Sequence, residues 1–166
     1  MKALRGLFPP FVGGRIGIGL LVLRVVVGLG IAVHGFGKIT NATGWMNQPG
    51  KPPAAIPGFM QALAAMGEFF GGLGLLVGAL TPIAALGVIC TMIGALLIAQ
   101  LPAGHPWISM KPGGDSWEDV GFYLFGALAL MLAGPGLFSV DAALFGRRNA
   151  ERDEVALPGE RVRSRS

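Results

Sequence analysis

Cysteine is almost absent from this sequence of 166 residues, in which Cys90 is the single thiol. One thiol excludes a disulfide within the chain, a paired-cysteine redox motif and a cysteine-based zinc site. Because Cys90 lies in the middle of an apolar stretch, we interpret it as a small core residue. The two histidines and the few acids lack the spacing of metal ligands, so we expect no metal site. Motifs for flavin, haem or iron–sulfur groups are also missing, and we expect no intrinsic cofactor.

Charge is scarce as well. Charged residues make up 13% of the chain and hydrophobic residues 52%, and the mean hydropathy is +0.63. A soluble domain usually carries about a quarter charged residues. The sequence therefore predicts an integral membrane protein surrounded by the lipid bilayer. The net charge of +4 does not indicate a nucleic-acid partner, because the basic residues cluster at the two ends of the chain.

Long apolar runs are what the chain has in quantity. Four of them are near the ~20 residues that a helix needs to cross a bilayer. They cover residues 16–36, 57–80, 82–101 and 119–137. No strand alternation interrupts them, so the prediction is an all-α fold, an integral membrane four-helix bundle within one domain over residues 1–146. The 28 glycines favour close packing of these helices.

The distribution of basic residues predicts the orientation of the bundle. Arginine and lysine concentrate before the first span and after the fourth, which places both termini in the cytoplasm under the positive-inside rule. We expect a bacterial cytoplasmic (inner) membrane location, with several passes. Asp141 is interpreted as the cap of a short helix over residues 142–145. The polar residues 147–166 are predicted to form a mobile cytoplasmic tail.

Two charged residues interrupt the apolar runs, Arg24 in the first and Glu68 in the second. At about 1.5 Å per residue, they lie roughly 13 Å and 20 Å from the cytoplasmic ends of their helices, so a contact near the midplane is expected. One interpretation is an ion pair that locks the first two spans together. The other is a polar site that binds a substrate headgroup or carries protons.

Further polar residues extend this candidate ligand site toward the outer surface. His34 and Lys38 point to the same side of the first span as Arg24, although Lys38 could equally extend to lipid headgroups and His34 could be an interfacial residue. Glu118 opens the fourth helix, where an acid also complements the helix dipole. Tyr123 lies next to the face that Glu118 occupies. The full candidate set is Arg24, His34, Lys38, Glu68, Glu118 and Tyr123.

Four stretches of sequence carry a resemblance to a known family. They are Arg24 with the run HGFGK at 34–38, the run EFFGG at 68–72 with the turn at Thr81-Pro82, Glu118 ahead of the fourth apolar helix, and the run GPGLFSVD at 134–141. In this order they resemble the signatures of the DoxX family, which includes DoxD-like members. The resemblance covers roughly residues 16–141 and implies a four-helix membrane protein.

The resemblance also implies a function. DoxD-type relatives are linked to thiosulfate:quinone oxidoreductase, and other members associate with membrane oxidoreductase or redox-stress complexes. We therefore expect a membrane subunit associated with a quinone-linked oxidoreductase and with other membrane subunits. A quinone would be the ligand, with Arg24, His34, Glu68 or Tyr123 at its carbonyl groups. The alternative is a non-catalytic accessory subunit that packs against a larger membrane complex of redox, photosynthetic or respiratory type. Whether the chain is itself an enzyme stays open.

Overall fold

The structure is a computed structural model that describes residues 11–47, 50 and 55–146. Within these residues the fold is entirely helical, which confirms the all-α prediction. The helices are α1 (Gly14–Ile39), α2 (Gly58–Val77), α3 (Thr81–Ala95), α4 (Glu118–Ala133) and α5 (Val140–Phe145), and a π-helical turn (Leu96–Gln100) continues α3. Helices α1 to α4 pack together as a bundle. The predicted tail, residues 147–166, lies outside the described residues.

Among the described residues, three helices are long and apolar enough to cross a membrane. They are α1 with 26 residues, α2 with 20, and α3 with its π-helical turn, also 20. Helix α4 has 16 residues, or about 24 Å at 1.5 Å per residue, against a hydrocarbon core of about 30 Å. The predicted span 119–137 is therefore longer than the helix that forms. Gly134, at φ 78° and ψ 178°, ends α4 ahead of Pro135.

Helices α1 and α2 pack closely because glycines face each other across their interface. A methyl group added to Gly28 would lie 2.5 Å from the backbone nitrogen of Leu76, and one added to Gly72 would lie 2.5 Å from that of Ala32. The two backbones therefore touch directly, as small residues allow in membrane helices. This contact also fixes the antiparallel register of the pair, in which Gly35 lies beside Phe69.

The centre of the bundle is filled by apolar side chains from all four long helices. Val27, Ile31, Leu75, Val88 and Leu130 are almost completely buried there. Many other large apolar side chains lie on the outside of the bundle, where a soluble protein would carry polar ones. This arrangement matches a helical bundle that is solvated by lipid.

A buried carboxylate organises the end of the bundle that holds the turn between α2 and α3. Asp141 is 1% exposed, and its carboxylate accepts hydrogen bonds from the backbone nitrogens of Leu80 (2.8 Å) and Thr81 (2.9 Å) and from the Thr81 hydroxyl (2.7 Å). Asp141 therefore caps α3. The prediction that it caps its own short helix is wrong, because the Ser139 hydroxyl does so by accepting from Ala142 N at 3.1 Å.

Candidate functional site

Arg24 is buried, but it does not contact Glu68. Its guanidinium donates to the carbonyl oxygen of Pro135 at 2.6 Å and to that of Phe138 at 2.7 Å. Both carbonyls belong to the irregular segment between α4 and α5. The expected Arg24–Glu68 contact is therefore wrong, and Arg24 instead ties this segment to α1. Its Nε is buried without a hydrogen-bond partner among the described residues.

The register of α1 against α2 explains the error. Arg24 is level with Gly78, because a methyl group on Gly78 would lie 2.8 Å from the guanidinium. Gly78 is about 15 Å from Glu68 along the axis of α2 at 1.5 Å per residue. The N-terminal end of α1 extends beyond the Thr81 turn and packs on Leu137 and Phe138. The predicted contact assumed that α1 begins level with this turn, and it does not.

Glu68 pairs with Lys38 instead. Lys38 Nζ lies 2.6 Å from Glu68 Oε1, with the Lys38 side chain 26% exposed and the Glu68 side chain 3% exposed. The same ammonium lies 4.5 Å from the centroid of the Trp45 ring, a cation–π arrangement. The lysine thus stays with the carboxylate and does not extend to lipid headgroups. The second carboxylate oxygen, Oε2, is buried and has no hydrogen-bond partner among the described residues.

A cavity of about 460 Å³ adjoins this ion pair between α2 and α3. Its wall is mostly apolar, with few polar groups. The residues that bear on its chemistry and shape are Lys38, Trp45, Gln61, Leu63, Glu68, Cys90, Thr91, Gly94 and Ile98. Cys90 is exposed in this wall, so its interpretation as a core residue is wrong.

Local features of α3 make room for the cavity. A methyl group added to Gly94 would meet no atom within 4 Å, so this glycine leaves open space in the wall. The next residues, Leu96–Gln100, form the π-helical turn. Such turns widen a helix locally and are frequent at functional sites.

Trp45, Met46 and Ile56, from the segment between α1 and α2, line one end of the cavity, and Gln61 holds them in place. The buried Gln61 side chain accepts from Met46 N at 3.0 Å and donates to the Ile56 carbonyl at 2.9 Å. Trp45 Nε1 donates to the Gln61 carbonyl at 2.9 Å. These bonds place the Trp45 ring above Lys38. Gln61 was not among the predicted site residues, although a lone amide within an apolar span was a signal for it.

Another part of the cavity opens to the outside of the bundle. Leu63 and Ile98 both line the cavity and are 63% and 53% exposed. In a bilayer these side chains face lipid, so this opening lies on the lipid-facing surface between α2 and α3.

The remaining predicted residues lie elsewhere. The rings of His34 and Tyr123 meet edge to face at 5.5 Å, on the side of α1 that faces α4, and Tyr123 covers Gly30. Glu118 is exposed at the start of α4. Of the six candidates, the structure brings only Lys38 and Glu68 to the cavity. In the described part of the chain, no group of three or more His, Cys, Asp or Glu side chains is placed to hold a metal ion.

Comparison with known proteins identifies the family. The DoxX family model matches residues 19–101. The chain is 32% identical to "Inner membrane protein YqjF" of Escherichia coli (strain K12), over 76% of this chain and 92% of the relative. It is 30% identical to "Putative oxidoreductase CatD" of Bacillus subtilis (strain 168), over 80% and 92%. No solved structure gave a significant match. With its long apolar helices, the chain is a multi-pass inner membrane protein, and it belongs to the DoxX family.

Proposed function

We propose that this protein is the membrane subunit through which an oxidoreductase reaches a quinone. The observation that carries the proposal is the cavity between α2 and α3, which opens to lipid and has the buried Lys38–Glu68 pair in its wall. A quinone is a membrane-soluble molecule with a flat ring and two carbonyl groups. It needs an apolar slot with a few well-placed polar groups, and this cavity offers both. The name of one relative, "Putative oxidoreductase CatD", supports a redox role.

Within this proposal, Lys38 and Glu68 have separate roles. The Lys38 ammonium donates a hydrogen bond to a quinone carbonyl, since it is partly exposed at the cavity. Glu68 passes to the quinone, one after the other, the two protons that accompany its two-electron reduction to the quinol. The electrons come from a partner subunit. Arg24, His34 and Tyr123 have no part in this site because they do not line the cavity.

The test replaces Glu68 by glutamine, which keeps the shape of the side chain and removes its acid–base function. In membranes containing equal amounts of protein, we expect electron transfer to quinone to fall at least about tenfold, because positioned acid–base groups contribute that much or more. Glu118→Gln is the matched control, since Glu118 is exposed outside the cavity, and it should retain the wild-type rate.

The alternative of a non-catalytic accessory subunit makes a different prediction for the same membranes. It accounts for the glycine-packed bundle but gives no role to the buried Glu68 oxygen that lacks a partner. If Glu68→Gln membranes keep the wild-type rate while deletion of the chain breaks up the complex on gentle detergent extraction, the accessory role is correct and the quinone site is not.

A further inference from the structure

One hydrogen-bond acceptor beside the cavity has no donor in the described part of the chain, and this affects which ligand the cavity can bind. Glu68 uses Oε1 for Lys38, and its buried Oε2 has no partner among the described residues. A buried acceptor without a donor is unfavourable, and a charged one more so. A ligand that brings a hydrogen-bond donor to Oε2 would complete the site.

The other polar groups of the cavity wall do not supply that donor. The Thr91 hydroxyl donates to the Gly87 carbonyl at 2.9 Å. The Gln61 amide donates to Ile56 O, and Trp45 Nε1 donates to Gln61 O. The Lys38 ammonium is held between Glu68 Oε1 and the Trp45 ring. None of these groups donates a hydrogen bond to Oε2.

Charge narrows the choice of donor. A phosphate or carboxylate headgroup would bring a negative charge against the Glu68 carboxylate. A lipid amine would bring a positive charge against Lys38. A neutral hydroxyl group avoids both repulsions and forms a short, charge-assisted bond to a carboxylate. The apolar wall, with Leu63 and Ile98 at its lipid side, then holds the rest of the molecule.

We propose that the cavity binds the hydroxyl-bearing, reduced form of the ligand, the quinol, in preference to the quinone, through a hydrogen bond from a ring hydroxyl to Glu68 Oε2. This inference rests on the proposed function and adds to it the redox form that the site holds more tightly. The hydroxyl is the feature that distinguishes the quinol from the oxidised ring, which can only accept hydrogen bonds.

The test measures the equilibrium binding of three probes to the purified full-length protein in lipid nanodiscs without oxygen. The probes are a short-chain ubiquinol analogue, its quinone and the dimethyl ether of the same quinol, which keeps the ring and oxygens but has no donor. We expect the quinol to bind at least about tenfold more tightly than either of the others, the value of one hydrogen bond to a charged group. In Glu68→Gln the preference for the quinol should shrink to about threefold or less, whereas Glu118→Gln keeps it.

Three outcomes would overturn the inference, and they separate it from the proposed function. Equal affinity for the quinol and its dimethyl ether in the wild-type protein means that the donor is irrelevant, while the quinone site itself stands. An unchanged preference in Glu68→Gln means that the hydroxyl binds elsewhere. Binding of none of the probes removes the proposed function as well. The comparison of probes on the wild-type protein remains decisive even where Glu68→Gln does not fold.

Discussion

Asp141 stabilises a helix that begins 60 residues earlier in the chain. Its carboxylate accepts from the first backbone nitrogens of α3 and from the Thr81 hydroxyl. These nitrogens have no partner within the helix, and a negative charge beside them also complements the helix dipole. The side chain therefore joins the α2–α3 turn to the last helix of the fold, and Asp141 N adds a backbone bond to Gly78 O at 2.9 Å.

Replacing Asp141 by alanine should lower stability substantially. The change removes three hydrogen bonds to a buried charged group and leaves their donors without an acceptor, so we expect a loss of about 2–4 kcal/mol in the free energy of unfolding. Unfolding of the purified protein by denaturing detergent measures this. Asp115 is exposed between the π-helical turn and α4. Asp115→Asn is therefore the control and should leave the unfolding midpoint unchanged. Equal midpoints for the two variants would show that Asp141 is not a structural cap.

At the scale of single residues, the sequence showed which side chains are unusual but not what they contact. A charged side chain within an apolar span has a high free energy in contact with lipid, so Arg24 and Glu68 were expected to face the interior of the bundle. Both are buried there. The partners of Arg24 are backbone carbonyls, which every residue has, so no residue type identified them. Asp141 was assigned to the nearest helix because capping signals are local, whereas its donors come from a distant turn.

At the scale of elements, α3 shapes the cavity. Gly94 adds open space to the wall, and the π-helical turn follows immediately. Neither feature opens a void in the packed core, because Gly94 and the π-helical turn border the cavity. We therefore expect both to have little effect on the stability of the bundle. The shape of the cavity can therefore be changed independently of the fold.

Gly94→Leu should block the cavity without harming the bundle. The new side chain enters open space, and leucine favours a helix over glycine by up to about 1 kcal/mol, so we expect an unchanged or higher unfolding midpoint. Electron transfer to quinone in membranes should fall at least about tenfold, because the leucine side chain occupies the space in which the quinone binds. Gly19→Leu is the control, since Gly19 also has open space but lies on α1 away from the cavity. Wild-type transfer in Gly94→Leu would place the quinone elsewhere.

The lengths of the elements were predictable where apolar periodicity is continuous. The ends of α1, of α2 and of α3 with its π-helical turn lie within three residues of the predicted spans. The end of α4 was missed because Gly134, Pro135 and Gly136 were included in an apolar run, although glycine followed by proline is a common end of a helix. The π-helical turn has no distinctive sequence, since its residues are ordinary helix formers.

At the scale of the whole molecule, the short α4 leaves two possible orientations for the C-terminus, because it decides whether the chain crosses the membrane three or four times. Four membrane crossings return the chain to the side on which it started, and three leave it on the other. The sequence predicts both termini in the cytoplasm from the distribution of arginine and lysine, and this stays a prediction. The answer also decides on which side of the membrane residues 147–166 lie.

Reporter fusions to the C-terminus of the full chain test this orientation. If both termini are cytoplasmic, green fluorescent protein fused after Ser166 fluoresces and alkaline phosphatase at the same place is inactive, because each reporter works on only one side. Phosphatase fused after Lys111, between the π-helical turn and α4, is the control and should be active. Active phosphatase both after Lys111 and after Ser166 would show that α4 does not cross the bilayer.

The hydrogen bonds from Arg24 to the segment between α4 and α5 also have a consequence for biosynthesis. Its carbonyl partners are 111 and 114 residues further along the chain, which at about 5–20 residues per second corresponds to a delay on the order of ten seconds. During that time the nascent chain holds a buried arginine whose partners have not yet been made. A chain that stops before residue 134 never acquires them. The segment between α4 and α5 thus supplies contacts that an interrupted chain lacks.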